Sequence, residues 1–393
     1  MIITNCLFGD TFMTHPHRVY ADLREAGSVH RVTTPGGTPV WLVTRYQDVR
    51  AALTDPRLSL DKSNAATDDS HQPSMPSELD AHLLNVDPPD HTRLRRLVSK
   101  AFTPRRIERL REHIQAHTDV LLDNLDGPPV DLMKTFANPL PMAVICELLG
   151  IPTDAQSDFR TWTSALTAPD ADAAVTSQEA MKQMYHFLVT IIETKRTKPS
   201  DDFLSAMIEA RDAHDRLTKP ELIAMAFLTL YAGYDNAVNL IGTTALALLT
   251  HPEQMTAVRN GRIPLHAALE EAMRWNTPFP LAARRFALEE LTIAGARIPA
   301  GARVWLSLTS ANRDSQQFTN PNTFDSTRTP THLAYGHGIH YCLGAPLARL
   351  EGEIALTSLL RRFPNLTLAV PADELSWIRS FHKRGLQSLP VSW

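Results

Sequence analysis

The sequence is poor in cysteine, in net charge and in long apolar runs. Its three cysteines, Cys6, Cys146 and Cys342, are too few for a disulfide framework, so each is considered singly. The 39 basic and 43 acidic residues give a formal charge of -4, which argues against DNA or RNA as a partner. No apolar run reaches the roughly 18 residues of a membrane span, and the first residues lack the basic and apolar regions of a signal peptide. These absences predict a cytoplasmic protein with reduced thiols and no membrane partner.

Length and periodicity favour one large helical unit. The 393 residues are 43% hydrophobic, without an internal repeat or a low-complexity linker, so residues 1–393 are predicted to form a single domain. The β-branched and aromatic stretch Pro39–Thr44 predicts a strand after the Gly36-Gly37 turn. Residues 60–86 are rich in Ser, Asp, Asn and Pro, and they predict a long irregular loop that we interpret as a lid.

A long buried helix is predicted in the middle of the chain. Thr218 and Glu221 have the spacing of a capping box, and a helix from Glu221 can continue to about Thr250, before His251-Pro252. Its first half is apolar on nearly every side, which is typical of a helix that crosses the core. Asp235 and its neighbours Gly233, Asn236 and Asn239 interrupt this pattern. They indicate either a functional site or a core helix whose polar groups have partners.

The most informative segment is the loop Ala334–Pro346. Two glycines, Gly336 and Gly338, indicate a tight turn before Cys342, and helical periodicity resumes after Pro346. Cys342 should therefore lie just before a helix N-terminus, where the helix dipole and free N–H groups lower a thiol pKa. A thiolate is the form that binds metal. A buried cysteine without a function is the alternative interpretation of such a residue taken alone.

This loop resembles the haem loop of the cytochrome P450 superfamily, Phe-Gly-x-Gly-x-His-x-Cys-x-Gly, and lacks only the Phe. Five further segments are similar to motifs of soluble bacterial members: Asp87–Arg96, Ala232–Asp235, Glu271–Arg274, Arg285–Glu289 and Ser310–Asp314. The resemblance implies a mainly α (α+β) fold, with about a dozen or more helices around haem b and small β-sheets on one side. It also implies that Cys342 is the iron ligand of an oxidoreductase that activates dioxygen.

The resemblance assigns roles to further residues. Asp235 would supply the acid that relays protons to dioxygen, with Asn236 beside it. His91 and Arg95, four apart on one helical face, would contact the haem propionates. The complete set of predicted cofactor-binding residues is His91, Arg95, Ala232, Gly233, Arg285, His340 and Cys342.

The sequence departs from the family at four positions. Asn236 and Ala237 stand where Thr-Thr is usual, and an amide does not pass a proton as a hydroxyl does. We interpret Asn236 as ordering a water or the substrate, with oxidative C–N or C–C coupling or ring closure as an alternative reaction. Tyr335 replaces the Phe. Thr323 replaces an Arg that would join Glu271 and Arg274, and Arg328 is a candidate substitute.

The predicted function is a monooxygenase that hydroxylates or epoxidises a small organic molecule, and the resemblance implies a natural-product substrate. Electrons would come from NAD(P)H through a separate ferredoxin and ferredoxin reductase, since no such module is attached, and the protein would act as a monomer. A basic face is predicted from Arg93, Arg96, Lys100, Arg105, Arg106 and Arg349. This face would either dock the electron donor or be an ordinary solvated surface. A peroxygenase and a haem-based sensor are the remaining alternatives.

Overall fold

The computed structural model describes residues 7–66, 77–167, 175–212, 217–329 and 331–393. Helices dominate the described chain, in this order: α1 (Asp10–Thr14), α2 (Pro16–Ala26), α3 (Tyr46–Ala52), α4 (Ser77–Asp80), α5 (Asp90–Ala101), α6 (Pro104–Asp123), α7 (Pro139–Leu149), α8 (Gln156–Thr167), α9 (Ser177–Thr197), α10 (Phe203–Asp212), α11 (Lys219–Thr250), α12 (Pro252–Arg259), α13 (Leu265–Trp275), α14 (Leu308–Ala311) and α15 (Ala345–Arg362). The mainly α prediction is confirmed.

The strands are short and form small sheets: β1 (Val29–Thr33), β2 (Pro39–Val43), β3 (Leu58–Ser59), β4 (Val130–Asp131), β5 (Arg285–Ala287), β6 (Leu291–Ile293), β7 (Ala296–Ile298), β8 (Arg303–Leu306), β9 (Thr367–Leu368) and β10 (Pro390–Ser392). The largest sheet has the order β1-β2-β8-β5-β3, and it is antiparallel except where β2 runs parallel to β8. The strand predicted at Pro39–Thr44 is therefore confirmed as β2.

Helix α11 is the central element of the core. Thr218 caps it in a capping box, because its hydroxyl accepts from the Glu221 N–H while the Glu221 carboxylate accepts from the Thr218 N–H. Most of its residues are buried, and it packs against α4, α7, α9, α13 and α15. The predicted helix thus begins two residues earlier than expected and ends at Thr250, as predicted.

The segment predicted as an irregular loop, residues 60–86, contains some regular structure. A 3₁₀ turn spans Lys62–Asn64 and is capped by Asp61, which accepts from the Ser63 N–H at 2.8 Å. The short helix α4 follows, while residues 67–76 of the predicted loop lie outside the described ranges. Within the described ranges, no helix combines the length and apolarity needed to cross a membrane.

Candidate functional site

The cysteine loop has the tight geometry that its glycines predict. Gly336 and Gly338 have φ values of +74° and +73°, in the left-handed region that glycine adopts without strain. A Cβ at Gly338 would also lie 2.6 Å from Cγ2 of Thr54. The loop closes through a 2.9 Å hydrogen bond from the Cys342 N–H to the Tyr335 carbonyl. As predicted, α15 begins three residues beyond Cys342.

Two opposing effects act on the pKa of the Cys342 thiol. The backbone N–H groups of Gly344 and Ala345, together with Arg95, lower its pKa, as the sequence predicted. Desolvation of the sulfur is larger and raises the pKa overall, although the residue as a whole is exposed. The lowering that the helix start predicts is therefore present, but desolvation, which the sequence does not show, outweighs it.

Cys146 is a core residue. It is buried in α7, and burial raises its pKa to about 12, so it remains a thiol. Cys6, the third cysteine, lies outside the described residues.

Four cationic or cationisable side chains, which we call the cationic group, meet beside the cysteine loop: His91, Arg95, Arg285 and His340. The rings of His91 and His340 are 4.1 Å apart, and Arg95 donates to the Tyr341 carbonyl at 2.8 Å. Desolvation and then the positive charges of His91, Arg285 and Arg95 lower the pKa of His340 to about 3. Desolvation also lowers the pKa of Arg285 to about 10, which Asp87 partly offsets.

The cationic group has the properties of an anion site. Both ring nitrogens of His91 and Nδ1 of His340 are buried without a hydrogen-bond partner among the described residues. Buried donors and clustered positive charge are both costly without an acceptor. Carboxylates such as haem propionates would satisfy both requirements. The donor set thus fits haem, whose iron Cys342 would ligate.

The polar residues of α11 are only partly accessible. The Asp235 carboxylate pairs with Lys383, with Nζ and Oδ1 2.5 Å apart. Desolvation raises the pKa of Asp235, and Lys383 lowers it in part. Asn236 donates from Nδ2 to the Ala232 carbonyl at 3.1 Å, which is a bond within the helix. Gly233 is exposed, and a Cβ there would lie 2.7 Å from Cδ1 of Ile145.

The Glu271–Arg274 pair is a buried structural anchor. Both side chains are fully buried, and Arg274 contacts both carboxylate oxygens of Glu271 at 2.7 and 2.8 Å. Arg274 also donates to three backbone carbonyls, including that of Thr323 at 3.1 Å. Arg328 lies 3.3 Å from Glu271, so the predicted substitute for the missing arginine is confirmed.

Sequence reasoning missed a network on the same side as the cysteine. Glu270 receives a bidentate contact from Arg349 at 2.8 and 2.9 Å, and His332 lies 3.2 Å away. The Arg349 guanidinium lies 4.5 Å from the Tyr335 ring centroid and 3.3 Å from the Tyr341 hydroxyl. Glu270 is one residue before the recognised Glu271, but its neighbours come from two other segments, so spacing gives no signal for it.

The predicted basic face is partly neutralised. Arg93 pairs with Glu221, Arg106 lies 3.6 Å from Asp201, and Arg349 is held by Glu270. The exposed residues of the face are Arg96, Lys100 and Arg105. Exposed apolar side chains also lie in the cysteine loop, where Ile339 is 54% accessible.

Comparisons with known proteins agree on one family. The profile of the family described as Cytochrome P450 matches residues 263–375. The chain is 46% identical to Cytochrome P450 107B1 of Saccharopolyspora erythraea, over 98% of its own length and 96% of that protein. It is 41% identical to the mycinamicin IV hydroxylase/epoxidase of Micromonospora griseorubida, over 95% and 94% of the two chains. The structure of the tirandamycin C-bound P450 monooxygenase TamI is similar with a TM-score of 0.89 and 47% identity, covering 98% of each chain.

Proposed function

The chain belongs to the cytochrome P450 family of oxidoreductases, and we propose that it hydroxylates or epoxidises a natural-product intermediate with dioxygen. The observation that carries the proposal is the juxtaposition of the Cys342 loop with the cationic group. The relatives named as hydroxylase, epoxidase or monooxygenase support this reaction class, and one of them was solved with tirandamycin C bound.

The residues of the site suggest how the cofactor would be held. Cys342 would ligate the iron of haem b, while His91, Arg95, Arg285 and His340 would contact its propionates. Ala232 and Gly233 would lie against the haem on the α11 side, where Gly233 is exposed. When bound, a thiolate-ligated haem supplies the iron that activates dioxygen for attack on a C–H bond.

The protein's own part is positioning and proton delivery. The turn at Gly336 and Gly338 fixes Cys342, and the Arg349–Glu270 pair holds the aromatic residues around it. Asp235 would deliver protons. The Nδ2 atom of Asn236 is engaged by the Ala232 carbonyl, so its side-chain oxygen is the atom left to order a water or the substrate.

Oxidative coupling or ring closure is the second candidate reaction, and it is favoured by one observation. Neither Asn236 nor Ala237 has the hydroxyl that would pass protons toward dioxygen, and coupling depends less on oxygen insertion. Incubation with a product-forming substrate under isotopically labelled dioxygen separates the two. Label in the product is expected for hydroxylation or epoxidation, whereas an unlabelled product with a new C–C or C–N bond would overturn the insertion proposal.

Electrons would come from NAD(P)H through a separate ferredoxin and ferredoxin reductase. The exposed side chains Arg96, Lys100 and Arg105 give complementary charge for an acidic donor, and such charge mainly accelerates encounter. The reduction rate should therefore fall with increasing salt. Product formed with hydrogen peroxide alone, at the same rate as with the donor, would favour a peroxygenase, and no turnover with any donor would favour a sensor.

A candidate natural substrate can be found by optical titration. Natural-product intermediates such as macrolactones should shift the absorption of the ferric haem on binding, whereas a protein that binds none of them would contradict this substrate class. The expected state is a monomer, which sedimentation would test.

A further inference from the structure

The acid of α11 is held by a residue from the far end of the chain. Lys383 lies in the segment of residues 377–386, which we call the C-terminal turn. Its ammonium group is 2.5 Å from the Asp235 carboxylate, and the two side chains are 14% and 19% exposed. A pair so largely withdrawn from water is screened less than a surface pair. A change in the distance between Lys383 and Asp235 therefore changes their electrostatic energy more than it would for an exposed ion pair.

The C-terminal turn is fixed independently of this ion pair. A bridge between Trp377 and Leu386 closes it, and the Ile378 N–H donates to the Gly385 carbonyl at 2.9 Å. Phe381 at its tip stacks on Trp305, with ring centroids 5.5 Å apart. These contacts hold the backbone of the turn in place, with Lys383 facing α11.

Direct packing sets the distance between the turn and α11. A Cβ at Gly385 would overlap the side-chain oxygen of Asn239, so a larger residue would require the turn or the Asn239 side chain to shift. Asn239 in turn donates from Nδ2 to the Asp235 carbonyl at 2.8 Å. Gly385 and Lys383 thus contact α11 one helical turn apart, at Asn239 and Asp235.

We propose that Lys383 is a positioning residue that keeps the Asp235 carboxylate ionised and directed toward the C-terminal turn. Proton delivery through Asp235 then requires this ion pair to open. The turn, and not α11 alone, sets when the acid is available. This inference rests on the proposed function only for the role of Asp235, since the ion pair itself is independent of the reaction.

The first test measures the protonation of Asp235 directly. Infrared difference spectra of the haem-loaded protein across pH record the carbonyl stretch of the protonated carboxyl, and Asp235→Asn identifies the band. Removing an opposite charge at this distance favours the protonated acid, so Lys383→Met should move its midpoint upward by about 1 to 3 pH units. The other titratable groups recorded around the carboxylate are Tyr231 and Tyr234 of α11, and both are retained in the variant.

Two variants separate the effect of the position of the C-terminal turn from the effect of the Lys383 charge. Gly385→Ala keeps both charges but pushes the turn away from Asn239, so it should also raise the midpoint. Adding Asn239→Ala to Gly385→Ala should restore the midpoint of Asn239→Ala alone. The matched control is Lys219→Met, which removes a lysine paired with Glu193 at 3.1 Å at the exposed start of the same helix. The control should keep the wild-type midpoint.

The second readout is the fraction of NADPH electrons that leave as hydrogen peroxide during turnover. Lys383→Met and Gly385→Ala should raise this fraction several-fold, because Asp235 is then available throughout turnover and not only when the ion pair opens. Each variant must first give the wild-type carbon-monoxide spectrum, so failed haem binding is recognised separately. Wild-type infrared midpoints in both Lys383→Met and Gly385→Ala would overturn the proposal. So would a raised midpoint with an unchanged peroxide fraction.

Discussion

Two sides of the site are built in different ways. On the cysteine side, residues 335–344, a contiguous loop defines the geometry through two left-handed glycines and one closing hydrogen bond. On the acid side, residues 232–239 of α11, the backbone is an ordinary helix, and the geometry depends on Lys383 and Gly385 from the C-terminal turn. A local loop motif can be recognised in sequence, whereas a contact between distant segments has no contiguous signature. The following predictions test this contrast.

The largest effect on stability is expected at Arg274. Arg274→Met leaves Glu271 buried with only Arg328 as a charged partner, and breaking such a pair typically costs about 3 to 5 kcal/mol. The free energy of unfolding, measured by denaturant titration, should fall by that amount, or the variant should fail to fold. Arg297→Met removes an exposed arginine paired with Glu290 and should change stability little. Equal losses in both variants would contradict this account.

Gly338→Ala should distort the cysteine loop and lower stability by less than Arg274→Met. The alanine would be strained at a φ of +73° and would approach Thr54, at a cost of about 1 to 3 kcal/mol. Haem content per chain should fall along with the melting temperature. Gly37→Ala is the matched control, because its φ is +83° but no atom lies within 4 Å of the added Cβ. Strain without a clash should leave haem content at the wild-type level.

Glu270→Gln tests the network around the loop. Hydrogen bonds and charge from His332 and Arg349 outweigh desolvation and lower the pKa of Glu270 from about 4.5 to about 2. The resulting stability is present above the ordinary pKa and is lost as pH falls toward 2. Since the site is partly solvated, we expect about 1 to 2 kcal/mol at neutral pH. The difference between the unfolding curves of wild type and variant should be full at pH 7 and shrink progressively from pH 4.5 toward pH 2, whereas a constant difference would exclude this origin.

The smallest effect is expected for Tyr335→Phe. The Tyr335 hydroxyl is buried without a hydrogen-bond partner among the described residues, so its removal relieves a desolvation cost. Stability should stay equal or rise by up to about 1 kcal/mol in thermal unfolding. A clear loss of stability would mean that the hydroxyl has a partner in solution.

The sequence predicted the cysteine side in detail. The glycine turn and the helix start after Cys342 depend on local spacing or on a recognised motif, and the structure has them. Helix α11 was predicted because its capping box and its apolar composition are both local signals. Arg328 could be named because one position in the segment departed visibly from the family.

The contacts that the sequence did not predict join distant segments of the chain, and residue spacing within one segment does not indicate them. Lys383 and Asp235 are far apart in the chain, and the sequence does not predict their ion pair. Glu270 is adjacent to a recognised residue, yet its partners Arg349 and His332 come from other elements. The helix start lowers the pKa of Cys342 as predicted, but the larger effect of desolvation depends on packing in three dimensions.

The most direct test of the contrast is the carbon-monoxide difference spectrum of the reduced, haem-loaded protein and of two variants. Wild type and Asp235→Asn should both give the red-shifted band of thiolate-ligated haem, because the acid side does not hold the iron. Cys342→Ala should lose that band. A wild-type band at the position typical of histidine-ligated haem, or a red-shifted band that persists in Cys342→Ala, would contradict the assignment of Cys342 as the ligand.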